Sequence, residues 1–328
     1  MTTTTEPATW IAALSKLTFV ELVTRFPDEP SAIRYLEAIR WPAGPYCHRC
    51  GCTDVSRVQT ERKRPLFYCT GCNAQFSITT GTVMEDTKIE LHKWLLAIHL
   101  MVSSKKSISS LQLGRMLGIA KRSAWHLSHR IRHAMADAMP ELLTGTVEAD
   151  EVYVGGKRKG MGRGYRGNKT AVVTIVQRGG KAHSHIMPED GVNTASVGAM
   201  LTAHVSPTAV LNTDESPIYT APGRAFRHHD TVNHRAEEYV RHGARVATTN
   251  AVEGFFGNFD RQINGTHHHV SAKHLHRYAH EFDFKYNTRK VKDGERMVQA
   301  AAKLDGKRLT LYRAKSVDAP CLIPRVIG

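Results

Sequence analysis

Residues 147–160 read VEADEVYVGGKRKG, and this stretch decides what kind of domain the chain can build. Thr146 to Val154 reads as a strand. Glu148 and Asp150 then fall on one face, with Ala149 and Glu151 on the other. A glycine pair and a basic cluster follow at once. Burying such carboxylates without partners is costly. Either the strand end is solvated, or a positive group such as a metal ion belongs beside it.

Downstream, TAVVTIVQRGGKAHSHIM gives two more strands joined at Gly179-Gly180, a hairpin signal. A helical stretch spans Thr194 to His204, and AVLNTDES supplies a short apolar strand ending in Asp214. Asn250 to Ile263 is amphipathic, with Val252, Phe255, Phe256, Phe259 and Ile263 on one stripe. Glu253 lies off that stripe, on the side of Asn250 and Asp260. Taken singly, each carboxylate reads as a solvated strand or helix end. A strand-borne Asp, a second strand-borne Asp and a helix-borne Glu can together hold two divalent cations for in-line phosphoryl transfer. Hard oxygen ligands suit Mg²⁺ or Mn²⁺. Glu253 offers a charged oxygen ligand and Asn250 only a neutral carbonyl, so Glu253 is the expected ligand and Asn250 a supporting residue.

Upstream, CHRCGC supplies Cys47 and Cys50, and YCTGC supplies Cys69 and Cys72. Paired C-x2-C knuckles are the spacing of a four-thiolate zinc site, with a redox C-x-x-C pair as the alternative. Gly51 and Gly71 suit the tight knuckle turns, and LFYC and AQFSITTGT read as short ribbon strands. Four thiolates leave no open position, so the zinc is expected to be structural. Cys52 is a spare thiol, and Cys321 has no partner in sequence.

Between these regions the period becomes helical, with Leu91, Trp94, Leu95, Ile98 and Val102 in register. Ser107 is the expected cap of a second helix through Leu111 and Leu117, with Gly118 at the turn. A third helix runs from about Ala120 and buries Ala124, Leu127, Ile131 and Met135. Its other face carries Lys121, Arg122, His126, His129, Arg130, Arg132 and His133. This is the outline of a helix-turn-helix, or else of an ordinary helical hairpin with a solvated basic face.

The 328-residue chain has 45 Lys and Arg against 30 Asp and Glu, a formal charge of +15. That balance favours a nucleic-acid partner over a merely solvated basic surface. The run GGKRKGMGRGYRGNK concentrates Lys157, Arg158, Lys159, Arg163, Arg166 and Lys169, with no acid, among glycines that permit close approach to phosphates. The histidines of GTHHHVSAKHLHRYAH read as phosphate contacts or surface. No export signal or membrane span is expected, and few, paired cysteines point to a reducing compartment.

The segments FPDEPSAIRYLEAIRWPAGPYCHRCG, YCTGC, FSITTGTVMEDTKIELHKWLLAIHLM, EADEVYVGGK, NTDES and TTNAVEGFFGNFDRQINGTHHHVSAKHLHRYAHEFDFKYNTR together resemble the IS1595 insertion-sequence transposases, in their ISXO2-like group. The resemblance implies a multidomain α/β protein: a zinc ribbon and helix-turn-helix head, then an RNase H-like catalytic domain of the DDE class. Boundaries follow as an N-terminal helical segment at 1–40, the ribbon at 41–85 and the helix-turn-helix at 86–140. The catalytic domain would occupy 146–290 and a tail 291–328. Carried over by position, the catalytic, Mg²⁺-binding acids are Asp150, Asp214 and Glu253, with Asn250 the alternative third residue. Arg261 is an expected DNA contact, although relatives commonly carry Lys-Arg where this chain has Asp260-Arg261. The implied activity is metal-dependent cleavage and strand transfer at inverted-repeat ends of double-stranded DNA. The setting would be the bacterial cytoplasm, nucleoid-associated, as a homo-oligomer on transposon ends and target. The alternatives are a non-catalytic zinc-containing DNA-binding regulator derived from such a transposase, and a simple RNase H-like nuclease.

Overall fold

A computed structural model of the chain describes residues 17–312, apart from 138–139, 157–166, 168, 188–190, 234–235, 237, 239 and 243–244. The described residues form two compact units: those up to 135 together with those from 288 on, and those from 136 to 287.

The first unit begins with helices α1 (Phe19–Arg25) and α2 (Glu29–Arg40), each started by a side-chain cap, from Thr18 and Asp28. A three-stranded antiparallel ribbon follows, made of β1 (Val55–Val58), β2 (Leu66–Cys69) and β3 (Gln75–Ser77) in sequence order. Its apolar content is small. Trp41 meets Phe67 and Phe76 edge-on, and those two rings stack 5.6 Å apart.

Helix α3 (Leu91–Ser103) forms the core of this unit, with Leu91, Trp94, Leu95, Ile98 and Val102 fully buried. Helix α4 (Ser110–Leu117) is capped by Ser109. The expected cap, Ser107, instead takes a positive φ of 69° and stands near the Arg132 guanidinium. Gly118 closes α4 in the left-handed conformation, as the sequence suggests. Helix α5 (Lys121–Met135) packs closely on α4 because Gly114 lacks a side chain. A Cβ there would lie 3.2 Å from that of Ala124 and 3.1 Å from the Ile119 carbonyl oxygen.

The second unit is a mixed α/β layer structure. Strands β4 (Thr146–Val154), β5 (Thr170–Gln177), β6 (Ala182–Ile186), β7 (Val210–Asp214) and β8 (His228–Val232) form one sheet, in the order β6-β5-β4-β7-β8. The first three are joined antiparallel, while β4–β7 and β7–β8 run parallel. Helix α6 (Thr194–His204) follows β6, and a two-stranded piece, β9 (Val240–Arg241) with β10 (Ala247–Thr248), leads into α7 (Asn250–Gln262) and then α8 (Ala272–Asn287).

Alternation along the strands divides the core. Val147, Ala149, Val173 and Ile175 pack with Val197, Leu201 and Val205 of the α6 side. Val172 and Val176 pack with Phe255, Phe259, Tyr278 and Phe282 of α7 and α8. Strand β5 is therefore buried on both faces, which explains its unbroken apolar run. Beyond α8 the chain returns to the first unit. Within the segment expected as a tail lies a ten-residue helix, α9 (Asp293–Ala302), which packs on α3.

Candidate active site and metal centre

The ribbon brings Cys47, Cys50, Cys69 and Cys72 together, with all four sulfurs within 4.8 Å of one another. Cys47 and Cys72 Sγ are 3.6 Å apart, and Cys50 and Cys69 Sγ are 3.5 Å apart. Tetrahedral zinc with Zn–S bonds near 2.3 Å needs sulfur separations of about 3.8 Å, so the quartet fits a zinc ion. Gly51, at φ +75°, turns the first knuckle. A Cβ on Gly71 would press on Cys52 at 3.2 Å. Burial opposes ionisation of Cys47, but the backbone N–H groups of Cys50 and Arg49 and the neighbouring thiols outweigh it and bring Cys47 down to about 7. Cys52 Sγ faces the Asp54 carbonyl instead of the quartet. Cys321 lies outside the described residues.

In the α/β unit the three acids of β4 have three separate fates. Glu151 accepts the Tyr219 hydroxyl at 3.0 Å. Glu148 is buried and ion-paired to Arg178 at 2.7 Å. Asp150 is half-buried, and its Oδ1 accepts the Glu151 N–H at 2.8 Å. Burial pushes the Asp150 carboxyl up to about 7, against the N–H bond that favours its charge. The charges of Glu151, Asp214 and Glu253 add to the rise.

Asp214 reaches this neighbourhood because β7 runs parallel to β4, with Glu148 opposite Asn212. Glu148 and Asn212 each stand two residues before an aspartate, so Asp150 and Asp214 follow just beyond the paired residues of the two strands. The Asp214 carboxylate accepts the Ser216 N–H at 3.0 Å. Glu253 comes from the exposed side of α7, and its Oε1 accepts the Thr249 hydroxyl at 2.8 Å. Asn250 is exposed one turn earlier, its N–H bonded to Thr248 Oγ1 at 3.1 Å. Among the described residues, the acids do not gather to the closeness of the cysteine quartet.

Two family models match the chain. Residues 27–75 match the transposase zinc-ribbon domain of the IS1595 group, and residues 142–287 match the ISXO2-like transposase domain. The chain belongs to the IS1595 transposase family. A relative from Halobacterium salinarum, described as an uncharacterized protein in transposable element ISH50, is 28% identical over 264 residues. That alignment covers 76% of this chain and 83% of the relative. No solved structure matches.

For this IS1595-family chain the basic residues divide sharply. Lys121 and Arg122 are exposed at the start of α5. The rest of the expected basic face is partly a correction: His129, Arg130 and Arg132 are buried. The Arg130 guanidinium lies 5.2 Å from the Trp94 ring centre and donates to the Glu85 carbonyl, while Arg132 donates to Ser128 Oγ at 3.2 Å. Burial lowers Arg130 to about 10. Arg261 is exposed on α7 and bonds Asn258 at 3.2 Å, beside an exposed Asp260 that accepts from Asn264. Lys169 is half-buried just before β5. Lys157, Arg158, Lys159, Arg163 and Arg166 lie outside the described residues. Among the described residues, no helix is long and apolar enough to cross a membrane.

Glu148, Arg178, Asn212 and Thr249 are the residues that sequence reasoning passed over. The one available signal was the strand period, which puts Glu148 on the face of Asp150.

Proposed function

We propose that the chain cleaves double-stranded DNA at the inverted-repeat ends of an insertion sequence and joins the freed 3′ ends to target DNA. In this reading the five-stranded mixed sheet is an RNase H-like core. The pair α4–α5 is a helix-turn-helix whose exposed Lys121 and Arg122 meet the DNA, and the basic run 155–169 supplies further phosphate contacts. Asp150, Asp214 and Glu253 are the metal ligands, with Asn250 in support. The observation that carries the reading is the match of residues 142–287 to the ISXO2-like transposase domain, within which β4, bearing Asp150, pairs parallel with β7, which ends in Asp214. Burial and the nearby charges of Glu151, Asp214 and Glu253 raise the Asp150 carboxyl, and a bound cation would oppose that rise.

When bound, Mg²⁺ or Mn²⁺ supplies charge neutralisation at the phosphate and a more acidic water. The chain's own part is to hold the acids in place. The Glu151 N–H orients Asp150, the Ser216 N–H orients Asp214, and the Thr249 hydroxyl orients Glu253. Cleavage forms a bond from water oxygen to phosphorus and breaks the bond to the 3′ oxygen. The released 3′-hydroxyl then attacks a target phosphodiester, and one target strand leaves.

Asp150→Asn, Asp214→Asn and Glu253→Gln should each bind a duplex of the element's end with near-normal affinity. Each should cut it slower by roughly 10²–10³. Cleavage at the wild-type rate by Asp150→Asn or Asp214→Asn removes that residue from the site. An active Glu253→Gln beside a dead Asn250→Ala transfers the third position to Asn250. On the DNA-binding side, alanine at both Lys121 and Arg122 should flatten the salt dependence of binding by about one log-log unit per lost phosphate contact.

A further inference from the structure

Glu148 is the acid of the 147–160 stretch that the cleavage reading leaves unused, and it is only 1% exposed. Its two oxygens are committed in different directions. Oε2 accepts the backbone N–H groups of Ala251 and Val252 at 2.7 and 3.1 Å, and Oε1 accepts Arg178 Nε at 2.7 Å. Those N–H groups belong to the first turn of α7, where a helix has no partners of its own to offer. A side chain at the N-cap usually serves them. Thr249 occupies that position and does not; its hydroxyl donates to Glu253 instead. The cap therefore arrives from the neighbouring strand, as a negative charge at the positive end of the helix.

Arg178 extends the tie. Its two terminal nitrogens donate to the carbonyls of Val246 and Thr248, each at 3.2 Å. Asn212 Nδ2 reaches the same Thr248 carbonyl at 3.3 Å. Glu148 and Asn212 are register partners across β4 and β7, and each stands two residues before a site aspartate. The period of a strand puts each of them on the face of its aspartate. Every bond of this network to the β10–α7 segment ends within residues 246–252, immediately before Glu253.

We infer that Glu148, Arg178 and Asn212 are positioning residues that fix the start of α7, and with it Glu253, against Asp150 and Asp214. The inference rests on the reading of those three carboxylates as the cleavage centre. It assigns the first acid of EADE a task distinct from ligation: its charge is spent on the helix and on Arg178, while Thr249 is left to orient Glu253. Loss of the network should loosen the geometry of the acid trio without touching DNA.

The full-length protein tests this with Glu148→Gln, Arg178→Lys and Asn212→Ala. Glutamine keeps one oxygen for the helix N–H groups, and lysine keeps the charge but carries its donors on a single nitrogen, which cannot span the three acceptors that the guanidinium's three nitrogens reach. Mn²⁺ binding read by electron paramagnetic resonance should weaken about tenfold or more, as outer partners of metal ligands usually require. Cleavage should slow by about 10- to 100-fold while affinity for terminal DNA stays unchanged. Arg178→Gly should recover with added guanidinium but not with methylammonium. Variants that melt earlier yet bind Mn²⁺ and cut DNA as the wild type does would reduce the network to fold support and overturn the proposal alone. Wild-type Mn²⁺ binding and cleavage by Asp150→Asn would instead remove the cleavage centre, and the proposal with it.

Discussion

The cysteine quartet and the proposed acid site assemble their side chains in different ways. In the ribbon, four sulfurs stand within 4.8 Å of one another, and pairs of thiols approach to 3.5 and 3.6 Å. In the α/β unit, the acids share a neighbourhood but keep more distance. The scaffolds differ in the opposite sense. The ribbon has three short strands and a few stacked rings, while the α/β sheet is buried on both faces. Metal should therefore be part of folding in the first case, and chiefly part of chemistry in the second.

The largest effect tests that contrast directly. Removing zinc with a chelator, or replacing Cys50 by Ser, should cost the ribbon a binding free energy on the order of 10 kcal/mol. Amide exchange in residues 46–77 should rise to that of unfolded chain, and metal analysis should show the loss of one zinc per chain. Exchange in β4, β5 and β7 should change little. Protection lost from both units together would break the comparison, and a zinc-free protein with a protected ribbon would remove the metal from the fold.

The contrast also explains what could be read in advance. Strand β4 falls on Thr146–Val154 and α6 on Thr194–His204, because strand and helix signals act locally. The cysteine knuckles were legible for the same reason: spacing alone places the sulfurs. Arg130 and Arg132 were not, since a basic residue on a helix reads as solvent-facing until a Trp94 ring and a Ser128 hydroxyl are found beside it. Glu148 was harder still. Its partners lie 30 and 103 residues away along the chain, and nothing in its neighbours separates a helix cap from a metal ligand.

A second effect, of intermediate size, concerns acid. His183 and His185 on β6 face His204 at the end of α6, with ring centres 6.1 and 4.3 Å from it. Burial, reinforced by the neighbouring histidines, lowers His183 to about 4 and His185 to about 3. The unfolded chain takes up these protons near pH 6.5 and the folded chain does not. Stability of the α/β unit is thus fully present above about pH 6.5 and falls as pH drops toward 4, by on the order of 3 kcal/mol for each histidine. His185→Phe should flatten that fall in chemical-denaturation midpoints taken between pH 7 and 4.5. Zinc release from the ribbon, which also follows acid because thiolates must be protonated, should keep its own midpoint in that variant. A single shared midpoint that shifts with His185→Phe would join the two centres into one acid-sensitive system.

The smallest effect separates carboxylates within the α/β unit. Asp260 lies on the exposed side of α7, two turns beyond Glu253, and its Oδ1 accepts Asn264 Nδ2 at 2.6 Å. Two turns of helix span about 11 Å, longer than a Debye length at physiological salt, so Asp260 bears little on a cation at the trio. It stands next to the exposed Arg261, the DNA contact that the family resemblance implies. A carboxylate there opposes phosphate, and a lysine would add a contact. Asp260→Lys should tighten binding of terminal DNA by a few-fold at low salt, mainly through faster association, and steepen the salt dependence by about one log-log unit. Its Mg²⁺ requirement for cleavage should match the wild type. A shifted Mg²⁺ requirement with unchanged DNA affinity would move Asp260 from the DNA surface into the acid site, and the line drawn here between ligating and non-ligating carboxylates on α7 would have to be redrawn.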